Sequence, residues 1–196
     1  MEVLKTVMPV LLAGILTENM VLSKFLGICP FLGVSKKTDT AISMSVAVIF
    51  VMVLATCATY PIYAGILAPN GLEYLQTIVF ILIIAALVQL VEIILKRFMP
   101  PIYKALGIYL PLITTNCSVL GITMLNFTNP RITGFGLAIV NALGAGLGFM
   151  LAMILFSGVR SRIESCDIPE SLKGLPITLI SAALVSLSFL GFAGIV

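Results

Sequence analysis

The feature that most constrains this chain is a succession of long runs without a single charge. Residues 40–68, 74–91, 105–130, 132–159 and 174–196 contain no Asp, Glu, Lys or Arg. A helix needs about 20 apolar residues to cross a hydrocarbon core about 30 Å thick, and each run is long enough or nearly so. Composition agrees: 60% of the residues are hydrophobic and 10% charged, against about 25% charged in a soluble domain, and the mean hydropathy is +1.21. The expected class is an all-α integral membrane protein.

Several functions are thereby set aside. The chain has no His, which removes imidazole metal sites, haem ligation by His and a His general base. The net charge of +3 comes from a few loop residues, so no nucleic-acid-binding face is expected. The Gly-rich run Gly144-Ala145-Gly146-Leu147-Gly148 lies mid-span, with no strand before it and no acidic residue after it, so it is not a nucleotide loop. Small residues there suit close helix packing. Trp is absent, leaving Tyr60, Tyr63, Tyr74, Tyr103 and Tyr109 for any interfacial belt. The N-terminus, with Glu2 before Lys5 and no small-x-small cleavage site, is expected to be the first membrane segment and not a signal peptide.

That first segment differs from the others. Residues 6–17 are apolar but too short to span, Glu18, Asn19 and Lys24 follow, and a second short apolar run covers 25–35. A charge near mid-bilayer costs about 2.5–3.5 kcal/mol on insertion scales. Residues 3–35 therefore read as one broken span whose non-helical backbone is buried among other helices. Residues 102–126 look similarly interrupted, by Pro111 and then Thr114-Thr115-Asn116. The chain thus reads as six transmembrane helices in two three-helix repeats, 1–98 and 99–196, the first helix of each broken. An odd number per repeat inverts the second relative to the first. Lys36, Lys37, Lys96, Arg97, Lys104, Arg160, Arg162 and Lys173 fall on one side, Lys5 and Arg131 on the other. The positive-inside rule puts the first group in the cytoplasm and both termini outside.

The two broken spans share a motif. Leu26-Gly27-Ile28-Cys29-Pro30-Phe31-Leu32-Gly33-Val34 and Thr114-Thr115-Asn116-Cys117-Ser118-Val119-Leu120-Gly121-Ile122 both contain Cys-x-x-Leu-Gly. The plain alternative is coincidence in an alphabet rich in Leu and Gly, with two buried thiols. Against it stand the flanks: Gly27 permits a tight turn, Pro30 ends helical hydrogen bonding, and Asn116 and Ser118 offer polar contacts. Backbone N–H groups beside a sulfur suit an iron–sulfur site. A [2Fe–2S] cluster generally takes four Cys, so Cys29 and Cys117 would supply half of the ligands and a partner of the same design the rest. Cys57, in an apolar helix, and Cys166, in a charged loop, complete the set poorly. Glu18, Lys24 and Glu92 are the ionisable residues nearest the bilayer, and therefore candidates for an ion path; Glu92 also has a structural reading, an i,i+4 pair with Lys96.

The stretch Glu18–Lys37, the stretch Leu106-Gly107-Ile108-Tyr109-Leu110-Pro111-Leu112-Ile113-Thr114-Thr115-Asn116-Cys117, Asp167-Ile168-Pro169 and Gly191-Phe192-Ala193-Gly194 resemble the signatures of the A-type subunits of the Rnf complex. That complex is the ion-translocating ferredoxin:NAD⁺ oxidoreductase. Its A-type subunits are of the same family as the D-type and E-type subunits of the sodium-pumping NADH:quinone oxidoreductase. The resemblance covers essentially the whole chain. It implies a multi-pass component of a translocase in the prokaryotic cytoplasmic (inner) membrane, with no NAD or flavin site of its own. It further implies a paralogous E-type Rnf subunit sharing one intramembrane [2Fe–2S] cluster, ligated here by Cys29 and Cys117. Beyond these it implies the B-, C-, D- and G-type Rnf subunits, with ferredoxin and NAD⁺ as indirect partners. Electron flow through the cluster would be coupled to movement of Na⁺ or H⁺. Two other classes compete. A small inverted-repeat transporter or channel fits everything but the cysteines, and a membrane thiol–disulfide oxidoreductase would use them as a redox couple, although no Cys-x-x-Cys is present.

Overall fold

A computed structural model describes residues 2–34, 38–98, 113, 116–130, 132, 134–163 and 165–191. The sequence marks Pro111, Thr114, Thr115, Lys36, Lys37, Lys104, Arg131 and the C-terminal stretch 192–196 lie outside that set, as does most of the first half of the span expected at 102–126. The described residues are mostly helical.

The first helix, α1 (Glu2–Leu12), widens into a π-helical turn at Ala13–Thr17 and then stops. Gly14 sits in the widened turn. A Cβ there would stand 3.1 Å from the Ala145 nitrogen and 3.2 Å from the Gly144 carbonyl carbon, so only Gly permits this approach of two backbones. Residues 18–27 are non-helical, and a short helix, α2 (Ile28–Val34), resumes with Pro30 in its first turn, where a missing N–H costs nothing. The break expected in the first span is therefore present.

α3 (Thr38–Ile62) continues past Pro61 through a second π turn, Tyr63–Leu67, and ends at Asn70 against Gly71, whose φ of 64° provides the left-handed stop. α4 spans Gln76–Phe98 and carries Lys96 and Arg97 in its last turn, where the helix dipole favours cations. α5 (Cys117–Thr128) starts at Asn116, whose Oδ1 accepts the Ser118 N–H at 3.0 Å as an N-cap. α6 covers Phe135–Ile163 and α7 covers Leu175–Leu190.

Among the described residues three helices are long and apolar enough to cross a membrane: Thr38–Asn70, Gln76–Ile94 and Phe135–Ile163. They answer the runs at 40–68, 74–91 and 132–159. Val7–Thr17, Cys117–Thr128 and Leu175–Leu190 are apolar but shorter. At 1.5 Å per residue, the 12 residues of α5 reach about 18 Å, well short of a bilayer core.

α3 and α6 pack along each other as the central pair, with α1 and α5 laid against them. Met44, Val48, Met52 and Ala55 of α3 share one buried core with Ala142, Ala145, Phe149 and Met153 of α6. Unlike a soluble bundle, this one is apolar outside as well as inside, and part of its interior is polar. Leu and Ile crowd the exposed faces of α4 and α7, for example Ile78, Leu82, Ile93, Leu184 and Leu187. The interior holds Ser45, Thr56, Thr59, Thr123, Asn126, Asn141 and Ser181. Ser45, Thr56 and Thr59 donate to carbonyls one turn back at 2.7–2.9 Å, which satisfies them without water. A protein that faces hydrocarbon on the outside needs this arrangement.

Candidate functional site: the junction of the broken first span and α5

The break in the first span is built around Asn19, which is fully buried. Its Nδ2 donates to Gly148 O on α6 at 2.8 Å and to Ile15 O at 3.1 Å; its Oδ1 accepts from Val21 N at 3.0 Å and Leu22 N at 3.4 Å. Three carbonyls of the non-helical backbone and α2 are met by distant side chains. Ser186 Oγ donates to Leu22 O at 2.5 Å, Ser118 Oγ to Leu26 O at 2.8 Å, and Arg160 Nη1 to Leu32 O at 2.7 Å. Each would cost on the order of 1–3 kcal/mol if left without a donor.

The break then meets the head of α5. Gly27, at φ 88°, donates its N–H to Cys117 Sγ at 2.8 Å. A Cβ on Gly27 would overlap Ser118 Oγ and lie 3.0 Å from the Phe149 ring, so the position requires Gly both for its dihedral and for space. Gly27, Asn116, Cys117 and Ser118 are therefore brought together, and Pro30 is buried close by in α2. Glu18 is half-buried and Lys24 exposed in the same break, whereas Glu92 stands half-buried on another element, α4.

No three of the cysteines gather into a metal-holding group among the described residues. All four are free thiols: Cys29 is exposed at the start of α2, Cys117 is half-buried, Cys57 is exposed and Cys166 is exposed. Cys57 lines an apolar groove of about 790 Å³ between α3 and α4. Among the described residues no group of three or more His, Cys, Asp or Glu is able to hold a metal ion. An intramembrane [2Fe–2S] site therefore has no metal-holding group to rest on among them. This overturns the expected [2Fe–2S] cofactor, and with it the expectation that this chain carries electrons through an intramembrane iron–sulfur centre. The motif's flanks have a structural role: they seat the non-helical backbone at Gly27 on the head of α5.

Residues with large structural roles show in the sequence only as markers. There Asn19 reads as a polar interruption and Arg160 as a topology charge, and Ser186 gives no signal inside its apolar run. A buried pair, Asn141 Nδ2 donating to Asn126 Oδ1 at 2.8 Å, links α6 to α5. An Asn within an uncharged run is the signal by which that pair was detectable, since an amide in hydrocarbon requires a partner.

An apolar exterior, long uncharged helices and a discontinuous helix whose backbone is met by buried polar side chains define a multi-pass helical membrane protein. A family model described as "Rnf-Nqr subunit, membrane protein" matches residues 7–196. The chain is 54% identical to the A-type subunit of the Na⁺-translocating ferredoxin:NAD⁺ oxidoreductase complex of Acetobacterium woodii, over 96% of this chain and 97% of that protein. It is 49% identical to the A-type subunit of the ion-translocating oxidoreductase complex of Syntrophotalea carbinolica, over 98% and 99% of the two chains. It is 50% identical to the protein of the same description from Aliivibrio salmonicida, over 95% of each. The chain belongs to the Rnf–Nqr family of ion-translocating oxidoreductase subunits.

Proposed function

We propose that this chain is the A-type membrane subunit of an ion-translocating ferredoxin:NAD⁺ oxidoreductase. It works beside a paralogous E-type subunit and the B-, C-, D- and G-type subunits in the prokaryotic cytoplasmic membrane. The reading is supported by the 54% identity to the Acetobacterium woodii protein over nearly the full length of both. In this reading the chain crosses the membrane six times as two inverted repeats, 1–98 and 99–196, with both termini outside. It binds neither NAD⁺ nor flavin, and its contribution is to ion movement.

The observation that carries the mechanism is the Gly27 N–H bond to Cys117 Sγ. It ties the broken segment of the first repeat to the head of α5 in the second, so that a shift of one repeat against the other is felt at this junction. Gly27, Pro30, Asn116, Cys117 and Ser118 form the seat of that movement, with Cys29 beside it. Glu18 and Lys24 are the charges of the break, and Glu92 is a carboxylate of α4; each is a candidate for conducting Na⁺ or H⁺.

The test uses the whole complex in liposomes, following ferredoxin-dependent NAD⁺ reduction and ion uptake together. Glu18→Gln or Lys24→Gln is expected to preserve electron transfer while lowering the ions moved per NADH formed. Unchanged ion stoichiometry in both variants and in Glu92→Gln would remove these residues from the path. Unchanged electron transfer and pumping after deletion of the chain would end the assignment to this complex.

A further inference from the structure

At the basic end of the bundle a cleft of about 290 Å³ opens between the C-terminal end of α6, the following loop and the N-terminal end of α7. Its lining divides in two. Ile163, Ile168 and Ile177 form an apolar wall; Arg160, Lys173 and the Thr178 hydroxyl supply the polar one. Asp167 and Glu170 are exposed on the same loop, and neither belongs to the lining, which among the described residues holds no carboxylate.

The two cations are held differently. Arg160 is anchored by its 2.7 Å bond to Leu32 O, which fixes a guanidinium at the cleft. Lys173 is exposed and sits just ahead of Gly174, whose φ of 96° turns the chain into α7. No side chain caps that helix end, because the N-cap residue is Gly174 itself; the Thr178 hydroxyl donates to Gly174 O at 2.7 Å. The end of α7 therefore adds to the positive field of the two cations.

We propose that this cleft binds a phosphate group, with the headgroup of an anionic phospholipid as its occupant. A guanidinium matches phosphate geometry, an ammonium adds a second charge, and the isoleucine wall suits the glycerol and first methylenes of a lipid rather than a hydrated ion. Basic pockets between helices at the cytoplasmic face are where such headgroups are held.

The experiment uses the purified complex, wild type and with Lys173→Gln or Lys173→Glu, in nanodiscs of phosphatidylcholine alone or with phosphatidylglycerol. Lys173 is exposed, so both variants are expected to assemble, which gel filtration checks. Thermal midpoints are recorded against phosphatidylglycerol content, and separately against inorganic phosphate in the phosphatidylcholine discs. Phosphatidylglycerol should raise the wild-type midpoint. Lys173→Gln should need about fivefold more of it for the same effect, one basic residue's share at a membrane surface. A Lys173-dependent rise with inorganic phosphate of the same size would support the phosphate site and make a free anion its occupant. Equal responses of the wild type and Lys173→Glu in both series, with equal phosphatidylglycerol retained on purification, would overturn the proposal.

Discussion

Asn19 Nδ2 reaches across 129 positions of sequence to the carbonyl of Gly148, 2.8 Å away, and so pins the break in the first span to the middle of α6. The same amide turns its oxygen to the N–H groups of Val21 and Leu22. One side chain thereby ends a helix, supports the backbone that follows and fixes where that backbone lies.

Asn19→Ala removes all of these bonds and leaves buried backbone groups without partners, a loss on the order of 2–4 kcal/mol. The expected outcome is a lower thermal midpoint of the complex and less of this chain in the membrane. Asn19→Asp should be no better, because it keeps the acceptor, loses the donor to Gly148 O and brings a charge into a buried site. Pulse-chase turnover and thermal denaturation measure both; a wild-type midpoint for Asn19→Ala would show that the break is held elsewhere.

Gly27 and Gly71 separate dihedral strain from crowding. Both have positive φ, at 88° and 64°, but a Cβ on Gly71 meets nothing within 4 Å, while one on Gly27 runs into Ser118 Oγ. Gly71→Ala should cost only the left-handed penalty, about 1–2 kcal/mol. Gly27→Ala should cost more and also loosen the bond to Cys117, reducing ion pumping together with stability. Similar midpoints for the two variants would mean that the junction yields freely.

The large features of this fold are legible because hydrocarbon is an undemanding solvent to read: an uncharged run of 28 or 29 residues can be little else than a span, and α3 and α6 lie close to where those runs lie. The break is legible for the converse reason, since Glu18 and Lys24 cannot sit comfortably within an apolar helix. What completes the break is not. Ser186, Ser118 and Arg160 act over separations of 92 to 164 residues, and nothing local distinguishes a serine that donates to a remote carbonyl from one that bonds its own helix. The cysteine motif misleads for a related reason. Its glycine, asparagine and serine read as surroundings for a metal, whereas they make the close contact between two backbones.

Topology can be read from Cys166, exposed in the loop after α6 and donating weakly to Arg162 O at 3.4 Å. A membrane-impermeant maleimide should modify it in inverted vesicles and not in intact cells. The difference between the wild type and Cys166→Ser isolates this site from the other three thiols. Cys57 faces an apolar groove and should stay unlabelled by the charged reagent from either side. Labelling of Cys166 from outside would reverse the proposed orientation and place both termini in the cytoplasm.

Gly148 and Gly158 lie on the same helix and should respond in opposite directions. A Cβ on Gly148 would stand 2.7 Å from Gly14 O and 3.1 Å from Asn19 Nδ2, so Gly148→Ala must push α1 and its π turn away from α6. Overpacking of this kind costs about 1–3 kcal/mol, and here it also stretches the amide bond that holds the break. Gly158 is exposed, with nothing within 4 Å of a Cβ. Gly158→Ala should therefore stabilise α6 by up to about 1 kcal/mol through helix propensity alone. Thermal midpoints of the two variants in the same detergent measure the contrast. If Gly148→Ala proved neutral, the close approach of α1 to α6 would have to be relaxed in the assembled complex, and the junction at Gly27 and Cys117 would relax with it.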